Sequence, residues 1–303
     1  MKALVIGYGS IGARHVRLLE SLGLDTAVVS RRSVDAAQVY SAIADAVTDW
    51  APEYAVIASR TNEHWGNLSA LASAGFKGTV LMEKPLFDNV GEAVEHGFKN
   101  IFVGYNLRFH PALHRFKELL DEVTPYAVHA YVGQYLPDWR PDTDCRQGYS
   151  AIRAEGGGVL RDLSHELDYL NWMLDGWTRL TALGGQLSNL EIDSDDVFSV
   201  LFETHRCPVV SVQMNYLDSP LRREVLALTD QGTLRADLVS GTVEFGGKTE
   251  SFSTGGDDTY LAQHQAALAG KDEALCTLEQ GLEVLNMIEA AETAASEKTW
   301  VTA

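Results

Sequence analysis

Lys2-Ala3-Leu4-Val5-Ile6-Gly7-Tyr8-Gly9-Ser10-Ile11-Gly12 decides the fold of this 303-residue chain. The apolar run Ala3–Ile6 leads straight into three glycines spaced G-x-G-x-x-G. Beyond them Ile11, His15, Leu18, Leu19 and Leu22 recur at helical intervals. Strand, glycine turn and amphipathic helix, in that order, make a cradle for a pyrophosphate. One glycine forms the tight turn, one admits the phosphates against the backbone, and one lets helix pack on strand. The free N–H groups and partial positive charge of the helix start face an anion held over Gly7, Tyr8, Gly9, Ser10, Ile11 and Gly12. The motif therefore points to a dinucleotide site.

Outward from this motif, the apolar runs Thr26–Val29, Ala55–Ala58, Thr79–Met82 and Ile101–Val103 alternate with amphipathic stretches. Buried strands alternating with helices imply a parallel sheet covered on both faces, a Rossmann-type α/β domain, over residues 1–108. After Pro111 the pattern changes. A helix over Ala112–Asp121 precedes an alternating run, Ala127–Tyr135, and a second helix spans about Asp162–Leu174. Strands are expected at Val197–Glu203, Val209–Asn215, Glu224–Thr229, Thr233–Leu238 and Thr242–Phe245, with helix again over Tyr260–Ala295. Residues 109–303 thus form an α+β domain with a large, mostly antiparallel open sheet for substrate binding and oligomerisation, its last helix packing back towards the first domain. One covered sheet face leaves the other for a partner copy, giving a homodimer or homotetramer.

The second strand ends in Val29-Ser30-Arg31-Arg32. An NAD site places an acidic residue here for the ribose 2′-hydroxyl. A serine and two arginines suit a 2′-phosphate instead, since guanidinium forks match phosphate oxygens. NADP(H) is expected, with NAD(H) as the alternative.

Composition narrows the partners. Against 24 Lys and Arg stand 42 Asp and Glu, a formal charge of −18. Such a field repels nucleic acid and anionic membrane surfaces. No apolar run approaches the ~20 residues of a membrane span. The chain begins on a strand without a charged leader, and its three cysteines are few, odd in number and far apart, without the spacing of a metal site. A cytoplasmic location and no metal are expected.

Two further segments carry a specific resemblance. Glu83-Lys84-Pro85 follows the strand Thr79–Met82, and Gly156-Gly157-Gly158 precedes Asp162, His165 and Asp168. With the glycine loop, Ile57-Ala58-Ser59-Arg60-Thr61, His64, Gly104-Tyr105-Asn106-Leu107-Arg108-Phe109 and the helix Gly281–Ala295, the chain resembles the glucose–fructose oxidoreductase, inositol dehydrogenase and rhizopine-catabolism (Gfo/Idh/MocA) family throughout its length. The resemblance implies hydride transfer between nicotinamide C4 and a hydroxyl-bearing carbon of a sugar or cyclitol. It implies that Lys84, Asp162 and His165 are catalytic and touch substrate, that Ser59, Thr61, His64, Glu83 and Lys84 border the cofactor, and that Asn106 and Arg108 border the substrate. Asp and His are more often four apart in the family than three, and Arg60 stands where many relatives have proline. Histidine is the natural proton acceptor near neutral pH, so His165 is the expected acid/base group. Asp162 would orient or stabilise it, and Lys84 would donate to the reacting oxygen.

Between these motifs, Trp139, Arg140, Arg146 and Tyr149 lie in an irregular segment rich in aromatics and arginine. Aromatic faces suit a sugar ring and arginines suit carboxylate or phosphate, which points Trp139, Arg140 and Tyr149 at a sugar acid or nucleotide-sugar. Pairing of the arginines with Asp138, Asp142 and Asp144 is the alternative. Two other functions stay open: redox-neutral elimination or glycoside cleavage on a tightly held NAD, and a non-catalytic cofactor- or sugar-sensing regulator.

Overall fold

Backbone hydrogen bonds of the unbroken apolar run give β1 (Lys2–Ile6), its last four residues buried. In the computed structural model, which describes residues 1–89, 94–139 and 144–303, the chain continues through α1 (Ser10–Ser21), β2 (Asp25–Val29), β3 (Val39–Tyr40), α2 (Ile43–Trp50), β4 (Tyr54–Ile57), α3 (His64–Ser73), β5 (Thr79–Met82) and β6 (Asn100–Val103). There follow α4 (Pro111–Asp121), β7 (Pro125–Gly133), α5 (Val159–Asp162), α6 (His165–Met173), β8 (Trp177–Gly185), β9 (Val197–Thr204), β10 (Val210–Asn215) and β11 (Arg222–Thr229). The chain closes with β12 (Gly232–Asp237), β13 (Thr242–Phe245), β14 (Lys248–Ser251), α7 (Asp258–Ala269), β15 (Cys276–Thr277), α8 (Leu278–Glu297) and β16 (Val301–Thr302).

The chain divides into two units. The first holds residues 1–106 and 256–282, the second residues 107–255 and 283–303. Residues 256–282 thus group with the first unit, whereas the sequence pattern places them with the C-terminal half. The reason is pairing: β15 adds to β6, and α7 packs on α1 and β5. Gly270 ends α7 in the left-handed region, so the expected single helical stretch is two helices with β15 between them.

The first unit is built on a seven-stranded sheet ordered β15-β6-β5-β4-β1-β2-β3. All its pairs are parallel except β15 with β6. The chain leaves β1 for β2 on one side and returns to β4 on the other. That reversal opens a crevice at the carboxyl ends of β1 and β4, where doubly wound sheets bind ligands.

The second unit carries a nine-stranded sheet ordered β14-β13-β12-β11-β7-β10-β9-β8-β16. It is antiparallel except where β7 lies parallel to β10. It is not one continuous meander, because β7 is inserted between β10 and β11. On one face Leu180, Phe202, Val210, Val128, Ala227 and Leu234 line up across six strands, all buried. Helices α4, α5 and α6 pack on the sheet. The opposite face exposes Leu183, Leu201 and Leu228.

The helix expected over Asp162–Leu174 is broken. The Leu163 N–H closes α5 on the Val159 carbonyl, and the ladder restarts with the Asp168 N–H on the Ser164 carbonyl. Asp162 therefore ends one helix and His165 begins the next, so they do not share the face of one continuous helix and Asp162 is not an N-cap.

Helix α6 is buried on nearly all sides, two carboxylates included. Asp168 receives the Arg108 guanidinium in a fork, at 2.7 Å from Nη2 and 3.0 Å from Nε, with both side chains 1% exposed. Glu166, fully buried, pairs with Arg223 of β11 at 2.9 Å. Removing one partner of such a pair leaves an uncompensated buried charge. Asp168→Ala is expected to destabilise the second unit by about 3–5 kcal/mol, read as a lower urea midpoint by circular dichroism. An unchanged midpoint would show that the pair contributes nothing net.

Candidate active site

The glycine loop lies at the carboxyl end of β1, where the Gly7 N–H bonds the Val29 carbonyl at 3.0 Å. A methyl group on Gly12 would stand 2.1 Å from the Gly7 carbonyl oxygen, so only glycine lets α1 come this close to the loop. Over Gly9 the situation is the reverse, with nothing within 4 Å of where a Cβ would stand. Gly9 begins α1, no side chain caps it, and the first turn has no acidic residue. Close-packed backbone below, open space above and uncapped N–H groups fit a dinucleotide pyrophosphate.

Around this cradle, the Tyr8 hydroxyl donates to the Asp35 carbonyl at 2.9 Å. Ser30 accepts from the Arg32 N–H at 3.1 Å, tightening the turn after β2. Arg32 is exposed, and Arg31 is paired at 2.6 Å with Glu63. Ser59 follows β4 and accepts from Asn67 at 2.8 Å, and Thr61 is buried.

His64 has a bracing position. Its Nδ1 lies 3.1 Å from the Leu86 carbonyl and 3.2 Å from that of Pro85, and its Nε2 lies 3.2 Å from that of Ser59. Burial lowers its pKa, although the carbonyls on both sides oppose this. The ring thereby ties the loop after β4 to the loop after β5.

Glu83 and Lys84 follow β5 at the same carboxyl edge. Glu83 is buried and Lys84 half-buried. Burial pushes the Glu83 carboxyl up. The hydrogen bond from His15 and the nearness of Lys84 outweigh it, and the balance lies below the usual carboxylate range. The Lys84 N–H points at Glu83 Oε2 at 3.3 Å. Asn106, named above as a substrate contact, is buried and donates to Thr259 at 2.7 Å.

In the second unit the centre is Asp162, 4% exposed, whose Oδ2 accepts from the Tyr216 hydroxyl at 2.7 Å. Burial, then Asp162, keeps the Tyr216 phenol un-ionised far above its ordinary range, with smaller contributions from Tyr149 and Asp195. The half-buried Trp139 ring meets Tyr216 edge-on at 5.3 Å. Tyr216 thereby joins Trp139 and Asp162, which sequence spacing leaves unconnected. A methyl on Gly158, whose φ is +129°, would strike the Asp195 carboxylate at 2.3 Å. That carboxylate accepts from the Leu160 N–H and sets the start of α5. His165, 8% exposed, opens α6.

Other expected contacts have different occupations. Arg108, expected at the substrate, is committed to Asp168 inside the second unit. Arg146, one of the arginines invoked for an anion, pairs with Asp144 and Glu191, and Arg161 pairs with Glu292. Arg140 and Asp142 lie outside the described residues. Tyr216 escaped sequence reading because nothing in its local pattern links it to Asp162, 54 residues away. Among the described residues no group of three or more His, Cys, Asp or Glu could hold a metal ion, and no helix is long and apolar enough to cross a membrane.

Comparison with known proteins agrees with this geometry. Residues 1–98 match the family model described as oxidoreductase family, NAD-binding Rossmann fold, and residues 114–235 match the GFO/IDH/MocA C-terminal domain. No curated protein matches the sequence. Among solved structures, GenD2 from gentamicin A biosynthesis, in complex with NAD, is 23% identical with a TM-score of 0.82, covering 100% of this chain and 96% of that one. The WlbA dehydrogenase from Bordetella pertussis, in complex with NADH and UDP-GlcNAcA, is 17% identical with a TM-score of 0.83 and coverages of 100% and 97%. The myo-inositol 2-dehydrogenase from Lactobacillus plantarum is 18% identical with a TM-score of 0.80 and coverages of 100% and 99%. Two consecutive domain matches over a glycine cradle and a Glu-Lys-Pro corner place the chain in the Gfo/Idh/MocA family of NAD(P)-dependent oxidoreductases.

Proposed function

We propose that the protein transfers a hydride between a nicotinamide dinucleotide and a hydroxyl-bearing carbon of a sugar, sugar acid or nucleotide-sugar. The observation that carries this is Lys84, half-buried beside an ionised Glu83 at the same carboxyl edge of the sheet as the open cradle over Gly9. The cofactor, when bound, supplies the hydride chemistry at its nicotinamide ring. The chain's own groups handle orientation and the proton. Lys84 donates to the reacting oxygen. His165 takes up the proton as the alcohol is oxidised and returns it in the reverse direction. Asp162, fixed by Tyr216, favours the charged form of the acid/base group. Trp139 and Tyr149 offer aromatic faces to the ring, and the UDP-GlcNAcA of the WlbA complex and the myo-inositol of the Lactobacillus plantarum enzyme's name are compatible with such faces.

For the cofactor we favour NADP(H) over NAD(H). Ser30 and Arg32 form the turn after β2, and Arg31 lies beside them with Glu63 as its present partner. A 2′-phosphate would compete with Glu63 for that guanidinium. We also propose a homo-oligomer formed through the open face of the nine-stranded sheet, where Leu183, Leu201 and Leu228 are exposed. We further propose a cytoplasmic location, in keeping with three cysteines that are few and far apart in the sequence.

Lys84→Ala and His165→Ala are each expected to lower kcat by about 10²-fold or more with the fold retained, followed by absorbance of the reduced nicotinamide against a panel of sugars. Near-normal turnover in either variant removes that residue from the chemistry. Arg31→Ala with Arg32→Ala should cost at least about tenfold in kcat/KM with NADPH and little with NADH. A wild-type enzyme equally efficient with both overturns the cofactor preference. Leu201→Glu should shift sedimentation towards the monomer, and an unchanged sedimentation coefficient would place any interface elsewhere.

A further inference from the structure

Four polar side chains lie end to end inside the first unit, and of these only the last, Glu83, enters the reading above. Tyr54, at the start of β4, is 3.0 Å from Nδ1 of His264 on α7. His264 Nε2 is 2.8 Å from Nδ1 of His15 on α1. His15 Nε2 is 2.8 Å from Glu83 Oε1. Tyr54, His264 and His15 are at most 1% exposed and Glu83 is 8% exposed. Water therefore does not substitute for a lost contact, and each atom must find its partner within the chain.

The chemistry of the ends fixes the direction. A carboxylate only accepts, so His15 Nε2 carries a hydrogen, and with the ring neutral its Nδ1 accepts. His264 Nε2 must then donate, leaving its Nδ1 to accept from the Tyr54 hydroxyl. Every donor and acceptor is matched with both rings neutral and in the same tautomer. The surroundings agree. Burial drives the His264 pKa far below its ordinary value and raises that of Tyr54. Among the described residues Tyr260 also faces His15, edge-on at 5.9 Å, with Arg14 stacked over the Tyr260 ring at 5.1 Å.

We propose that His15 and His264 are positioning residues of the Lys84 corner, joined with Tyr54 in one directional hydrogen-bond chain that ends on the Glu83 carboxylate. The two carboxylate oxygens are divided: Oε1 receives the chain, and Oε2 faces the Lys84 N–H. The chain thereby holds the backbone from which the lysine side chain departs. Given the role assigned to Lys84 above, His264 lets α7 set the lysine's aim without touching cofactor or substrate. Such a function explains why two histidines are buried in contact where one apolar residue would pack at lower cost.

The test joins spectroscopy of the wild-type protein to kinetics. Long-range 1H–15N NMR at pH 7 should show both His15 and His264 neutral and protonated on Nε2, assigned by their loss in His15→Leu and His264→Gln. A ring protonated on Nδ1, or doubly protonated, overturns the chain. His264→Leu should lower kcat about 10- to 100-fold, the loss of one hydrogen bond to a charged array, with the cofactor KM within about twofold. Its acid limb should move to higher pH, because Glu83 stays buried with a weaker donor and binds a proton more readily. His264→Gln, whose amide donates towards His15 and accepts from Tyr54, should recover most of kcat. Wild-type kcat and an unmoved acid limb in His264→Leu overturn the proposal. Should His264→Leu fail to fold, a His264→Gln enzyme slowed as much as Lys84→Ala overturns it equally. Full turnover by Lys84→Ala with the tautomers as stated would sink the role of Lys84 and leave the chain standing, so the two failures are distinct.

Discussion

The distance between α1 and the loop before it governs the first unit. Gly12 lies so near the Gly7 carbonyl that a single methyl group would overlap it. Pushing the helix outward by even part of a side chain's width would withdraw its N–H groups from the pyrophosphate cradle. His15, one turn further along the same buried face, would move with it and leave Glu83. One steric constraint therefore sets both the phosphate cradle and the lysine corner, which lie on different strands and share no covalent neighbour.

Much of this was legible in the sequence because it is local. The apolar runs of β1, β2, β4, β5 and β6, the glycine spacing and Glu83-Lys84-Pro85 are each contained within a dozen residues, and each appears within a residue or two of its expected bounds. What escaped is non-local. The short strands β3 and β15 have two residues each and no pattern to read, and their existence depends on a neighbouring edge. The break after Asp162 is hidden because Leu163 and Ser164 suit a helix as well as they suit the turn they form. Tyr216 and His264 looked like ordinary interior residues, since a side chain's partner 54 or 249 positions away leaves no periodic trace.

Helix α6 illustrates a second kind of hidden information. It is buried almost all round, so an apolar stripe does not orient it. Its rotation is set by charge instead: Glu166 must meet Arg223 and Asp168 must meet Arg108. Burying ions this way gains little net stability over an apolar helix. What it supplies is a single angular register, and His165, the first residue of that helix, takes its direction from it. Arg108, which resembles a substrate contact in sequence, is one of the two arginines that hold this register.

The return of residues 256–282 to the first unit bears on how the protein is made. Neither unit is continuous along the chain, which crosses between them after residues 106, 255 and 282. A growing chain emerges amino end first, and domains commonly fold as they appear. Here the early Rossmann strands would wait, with β6 lacking its neighbour β15 and His15 lacking His264, until residues 264–277 have emerged. The nine-stranded sheet waits longer still, since β16 at Val301–Thr302 closes its edge. Maturation of both halves is thereby tied together, and a chain that stops before residue 256 is left with two unfinished units rather than one good domain and one bad one.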